Sequence, residues 1–196
     1  MALFSTAYWA PVSYYLLAAQ SSIVHIEQYE RYQKQSYRNR CTILSANGPL
    51  SLVVPVLRPH NCCIRDVRID YSKPWQKIHW RAIEAAYRSS AFFEEYSADI
   101  GEVYRKEVTF LFDLNIKLWE LSQVLLHVSF PWSFTEHFSA ISDEADDVRL
   151  IIHPKTKQKP DGLLFKPYFQ VFAHKYGFIP DVSILDMICN EGRLAG

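Results

Sequence analysis

The chain has 196 residues, with 21 Lys and Arg balanced by 21 Asp and Glu, so no global field draws it to nucleic acid or to an anionic membrane surface. Hydrophobic residues make up 49% of it, which excludes a disordered protein and is enough for one sizeable core. Aromatic residues, at 15%, suit a ring-lined pocket or an ordinary core of large side chains equally well.

Residues 2–8 (ALFSTAY) alternate weakly and read as a first strand. Pro11 suits a helix start, and Val12, Tyr15, Leu16 and Ala19 follow at i, i+3, i+4 and i+7, which predicts a short amphipathic helix over 11–20. Residues 21–28 (SSIVHIEQ) are β-branched at their centre and read as a buried strand. Strand, helix and strand within thirty residues make a βαβ start to a parallel sheet.

Asn47-Gly48 lies between two strand-like runs and supplies the positive φ angles of a tight hairpin. Leu50, Leu52, Val54 and Val56 then share one face of the second run. Residues 63–70 (CIRDVRID) alternate apolar and charged, which predicts a third antiparallel strand. From Pro74 the chain turns helical, with Trp75, Ile78, Ala82, Ala85 and Ala86 at helical spacing; Phe93, Tyr96, Ile100 and Val103 mark a second helix. Leu111, Leu114, Leu118, Leu121 and Leu125 recur at steps of three and four and place a core helix at 108–127. A strand is expected around Val148–Ile152, then a Lys- and Pro-rich loop. The end reads as a helix stopped by Gly177 and a short helix capped by Ser183. The expected architecture is a single α/β domain over 1–196: a mixed sheet with a parallel start and an antiparallel hairpin or meander, covered by helices in the C-terminal half.

The segment 26–41, IEQYERYQKQSYRNRC, holds three Arg, one Lys, two Glu and three Tyr between a buried strand and a hairpin. Ligands gather at the carboxyl ends of parallel strands. Lys34, Arg38 and Arg40 are candidates to hold phosphate or carboxylate, the arginines bidentately. Tyr29, Tyr32 and Tyr37 are candidates to stack on a base or sugar. The competing reading is a salt-bridged strand edge in which Glu27 and Glu30 pair with these arginines. His79, between Trp75 and Trp80, is a candidate acid or base, or a packed histidine bonded to nearby backbone.

No H-E-x-x-H, C-x-x-C, P-loop, G-x-G-x-x-G or G-x-S-x-G occurs. No metal or cofactor is expected. Cys62 and Cys63 read as two small strand residues. No span of the bilayer is expected, and the four cysteines fit a reducing cytoplasm.

The pieces STAYWAPVSYY, IEQYERYQKQSYRNRC, NGPLSLVVPV, IRDVRIDYSKPWQKIHWRAIEAAYRSSAFFEEY, FLFDLN and KPYFQVFAHKYGFIPDVSILDMICNEG, in this order, resemble the WbqC-like family, and more closely its short Bacteroidetes branch. The family takes its name from a gene in bacterial O-antigen biosynthesis clusters. The resemblance implies a cytoplasmic bacterial protein linked to modifying sugars or acyl groups of surface polysaccharides. Carried over by motif, the positions of interest are Glu27, Gln28, Lys34, Gln35, Arg38, Asn39, Arg40, Trp75, His79, Trp80, Tyr168 and Gln170.

Longer relatives carry a Ser-Gly-rich segment followed by a tyrosine where this chain has IIHPKTKQKPDGLLF. Three roles stay open. The first is an enzyme on a nucleotide- or carrier-linked sugar, with His79 or Glu27 moving the proton and Gln28, Lys34, Gln35, Tyr37, Arg38, Asn39, Arg40, Trp75, Trp80, Tyr168 and Gln170 binding the substrate. The second is a non-catalytic binding or assembly protein, homo-oligomeric or scaffolding a partner. The third is a degenerate enzyme fold whose charged strip only staples the strands. A small anionic ligand is the expected partner, with no nucleic acid.

Overall fold

A computed structural model describes residues 1–57, 62–140, 147–155, 163 and 165–194. β1 (Ala2–Phe4), α1 (Val12–Gln20) and β2 (Val24–Ile26) form the expected βαβ unit, with β1 and β2 parallel. β5 (Trp132–Phe134) pairs parallel with the other side of β2, so the sheet order is β1-β2-β5. β3 (Arg40–Ser45) and β4 (Gly48–Val53) make the antiparallel hairpin, with Ala46 and Asn47 as its two turn residues; the positive φ expected of Asn47-Gly48 is found at Gly48 alone, φ 96°. The α/β class stands, with the parallel and antiparallel pairings forming two small separate sheets.

α1 departs from an amphipathic pattern. Its residues Val12 to Leu16 and Ala18 are all buried, while Ala19 is exposed. The helix is covered on nearly every side, with Tyr15 stacked on Trp119 of α4 and the Val12 amide bonded to the Val182 carbonyl.

Residues 63–70 are not a strand. Ile64–Asp66 form a 3₁₀ turn, and single bridges tie Cys63 to Arg31, Arg68 to Phe110 and Ile69 to Val56. The buried pair Ile64 and Val67 explains this: its spacing of three breaks the period of two that a strand requires. Leu50 is 40% exposed, whereas Leu52 and Val54 are buried, so the hairpin's apolar face begins one pair later than the pattern suggests.

α2 (Trp75–Tyr87), α3 (Phe93–Val103) and α4 (Leu111–Leu125) follow as expected. Leu111, Leu114, Leu118 and Leu125 of α4 are buried, each stabilising the fold by roughly 1.5–3 kcal/mol through removal of apolar surface from water. The third strand of the parallel sheet is β5, not 148–152, where the chain turns; only Asp147 bridges to Leu3 there. α5 (Ala173–Tyr176) ends at Gly177, φ 69°, and α6 (Ile184–Glu191) is capped by Ser183, whose hydroxyl also donates to the Trp9 carbonyl. Most of the Lys- and Pro-rich loop lies outside the described residues.

Candidate functional site

The three parallel strands end side by side, and the next residue of each carries an oxygen: Ser5 after β1, Glu27 after β2, Thr135 after β5. The ladder continues into this edge, since the Glu27 amide donates to the Phe4 carbonyl and the Thr135 amide to the Ile26 carbonyl. Two buried ionic groups are assembled on it.

In the first, Arg38 grips Glu30 with two bonds, Nε to Oε1 at 2.8 Å and Nη2 to Oε2 at 2.5 Å. Ser5 completes it, donating to Glu30 and accepting from Arg38. In the second, Arg149 grips Asp147 in the same bidentate way, at 2.8 and 2.5 Å, and donates to the carbonyls of Ser139 and Ala140. Its Nη1 lies 3.7 Å from Glu27. Glu27 is fully buried and accepts from the Tyr29 and Ser139 amides and the Thr135 hydroxyl. The Arg38 guanidinium is therefore engaged by the protein's own carboxylate.

A hollow of about 390 Å³ opens over these groups, bordered by Tyr29, Glu30, Arg31, Gln33, Phe138 and Arg149. Tyr29 and Phe138 flank it as exposed rings, 38% and 58% accessible. Glu30 borders it at 5% exposure, and among the described residues its carboxylate accepts from Arg38 on both oxygens and from Ser5 on Oε2.

The other expected site residues fall in different places. Gln28 is at the same edge, its amide donating to the Thr135 carbonyl at 2.6 Å. Lys34 and Gln35 are exposed in the following turn, with Gln35 at φ 58°. Tyr37 is half-buried beside Arg38 and its carbonyl accepts from the Tyr8 amide. Burial pushes its hydroxyl pKa up to about 12. Asn39 braces the hairpin by donating to the Val54 carbonyl. Arg40 opens β3, and its buried Nε has no hydrogen-bond partner among the described residues.

His79 belongs to a separate network under the hairpin. Trp9 donates to the Tyr104 hydroxyl, which bonds Tyr8, which bonds His79 Nδ1 at 2.9 Å. The Val53 backbone also interacts with the ring and favours its protonated form. One direction satisfies the whole chain, with Tyr8 donating to Nδ1 and Nε2 carrying the proton. Burial lowers the His79 pKa to about 4, so the ring is neutral at pH 7. Trp75 packs on it edge-on at 5.2 Å. Trp80 stacks on Phe93 and borders another hollow of about 310 Å³.

Tyr168 and Gln170 form a third group, both donating to Asp186 of α6, at 2.7 and 2.8 Å. Burial raises the Asp186 pKa to about 6. The expected residues are thus divided among three networks, with Lys34, Gln35, Asn39, Arg40 and Trp80 in none of them, and only Gln28 and Arg38, with Glu27 beneath them, belong to the carboxyl edge. Sequence reasoning missed Asp147, Arg149, Thr135 and Phe138. The one available signal was Asp147-Val148-Arg149, an acid and a base bracketing an aliphatic residue in a segment that reads as apolar.

Among the described residues no group of three or more His, Cys, Asp or Glu side chains is placed to hold a metal ion, and no helix is long and apolar enough to cross a membrane. Fold and site together define an α/β protein with a ligand-sized cleft at the carboxyl edge of a parallel sheet. The chain belongs to the WbqC-like protein family, whose model matches residues 7–160. It is similar to the uncharacterized protein Rv1507c of Mycobacterium tuberculosis, 29% identical, with 84% of this chain and 82% of that protein covered. No solved structure matches.

Proposed function

We propose that this protein is a cytoplasmic bacterial enzyme, transferase-like, that acts on a nucleotide- or carrier-linked sugar in surface polysaccharide (O-antigen) biosynthesis, and that it binds this substrate at the carboxyl-edge cleft. The observation that carries the proposal is the pairing of exposed Tyr29 and Phe138 rings with the clamped Glu30 carboxylate around one hollow. Aromatic faces suit the apolar side of a pyranose ring, and a fixed carboxylate suits its hydroxyls. Family membership supports the polysaccharide context through the family's name. Arg38 enters as the residue that positions Glu30, and Arg40 as a guanidinium whose Nε has no partner among the described residues.

The test is thermal unfolding against a panel of nucleotide sugars. Saturation at a hundred times the dissociation constant stabilises the fold by about 2.7 kcal/mol, a clear rise in midpoint. No response across the panel contradicts the reading.

A second reading is favoured by one observation. Glu27 and His79, the two expected proton carriers, are both buried and fully engaged by protein groups. This suits a binding protein that performs no chemistry. The two readings differ in product analysis: the enzyme converts a bound nucleotide sugar, whereas the binding protein returns it unchanged.

A further inference from the structure

Gln28 and Tyr29 form a wall with a hollow on each side. Tyr29 borders the hollow already described; Gln28 borders a second and larger one, of about 770 Å³. The wall is braced by Arg65, which lines the larger hollow and packs its guanidinium on the Tyr29 ring, 6.0 Å from the centroid. β5 and the segment after it join the two sides again: Phe134 borders the larger hollow and Phe138 the smaller.

The linings differ in chemistry. The larger hollow has the rings of Phe110, Phe112 and Phe134, the cations Arg65 and Lys117, and the carboxylates Asp66 and Asp113. Phe112 and Phe134 lie 5.6 Å apart, and Phe134 is 38% accessible. Three rings suit a nucleobase, which stacks on any aromatic face. A carboxylate suits the ribose hydroxyls. Exposed Arg65 and Lys117 suit phosphate oxygens. The smaller hollow places Phe138 and Tyr29 against Glu30, the arrangement suited to a neutral sugar.

We infer that the two hollows form one two-part cleft for a nucleoside-diphosphate sugar, the nucleotide in the larger and the sugar in the smaller, with the diphosphate crossing the Gln28–Tyr29 wall beside Arg65. This rests on the function proposed above and assigns each part of the substrate to its own set of residues.

The assignment is tested by calorimetric titration of the full chain with UDP and GDP, with UDP-glucose and GDP-mannose, and with the free monosaccharides. Arg65, Lys117 and Phe138 are exposed, so their substitution spares the core, and circular dichroism checks the fold of each variant. Arg65→Ala and Lys117→Ala are expected to weaken the nucleoside diphosphate and the nucleotide sugar alike, each by about tenfold. Phe138→Ala is expected to weaken the nucleotide sugar and leave the diphosphate unchanged. If the nucleotide sugar binds but Arg65→Ala and Lys117→Ala change nothing, or Phe138→Ala weakens both probes equally, the assignment is overturned and the proposed function stands. If no nucleotide sugar binds the folded chain, both fall.

Discussion

Arg38 and Arg40 stand two positions apart and in opposite electrostatic situations. Arg38 is 4% exposed, and Glu30 neutralises it through a bidentate pair. Arg40 keeps a buried Nε with no acceptor among the described residues. Removing one member of a buried pair leaves the other charge uncompensated at a cost of about 3–5 kcal/mol. Arg38→Ala is therefore expected to lose about that much stability in urea unfolding. Among the described residues Arg40 has no such pair to break, and Arg40→Ala is expected to stay within about 1 kcal/mol of the parent. Equal losses would show that Arg40 has a partner as strong as Glu30, and no loss for Arg38→Ala would show that its clamp is not formed in solution.

Two elements carry buried titrating groups whose effects on stability have opposite signs. His79 of α2 titrates at about 4 instead of 6.5 because burial disfavours the cation. The unfolded chain takes up its proton first, so this contribution is complete above pH 6.5 and is lost as pH falls toward 4. Asp186 of α6 titrates at about 6 instead of 3.8 because burial disfavours the anion. The folded chain holds that proton longer, so this contribution is complete below pH 3.8 and is lost as pH rises through 6. Each amounts to about 3 kcal/mol, and over pH 4–6 they oppose each other. Urea unfolding across that range is expected to show His79→Gln growing less stable relative to the parent as pH rises, and Asp186→Asn growing more stable. Parallel pH curves for the parent and both variants would contradict the burial argument.

The elements also show where a single sequence is legible. α3 and α4 follow directly from their apolar spacing, because a helix announces its buried face locally. The hairpin follows from Asn47-Gly48 for the same reason. α2 forms where expected, but it buries Trp75, His79, Ile83, Ala86 and Tyr87 and leaves Ile78 and Ala85 of the expected stripe exposed. The segment 63–70 reads as a strand because its charged residues, Arg65, Asp66 and Arg68, mimic alternation; the decisive spacing from Ile64 to Val67 becomes clear only once both are seen buried. β5 spans three residues, too few to leave a period, and its pairing with β2 is a long-range choice that no local pattern encodes.

At the scale of the whole molecule, the parallel sheet is small, and its value lies in its edge. Ser5, Glu27 and Thr135 reach that edge from three distant stretches of chain, and Asp147 and Arg149 complete its ionic floor from a fourth. The charge-rich segment 26–41 was readable as special, and Glu30 and Arg38 within it do meet at the edge. The cleft itself was not readable, because its walls come from residues 28–33, 65–66, 108–117 and 134–138 and from Arg149, which only the tertiary fold brings together. The same fold sends His79 to the hairpin network and Tyr168 and Gln170 to α6.

The most direct measurement is backbone hydrogen–deuterium exchange of the full chain with and without saturating UDP-glucose or GDP-mannose. A ligand lying across the carboxyl edge slows exchange in residues 28–33, 110–117 and 134–139 and leaves the segment around Tyr168 and Gln170 unchanged. Protection confined to other segments, or no protection under any saturating nucleotide sugar, would contradict a cleft built at the ends of β1, β2 and β5.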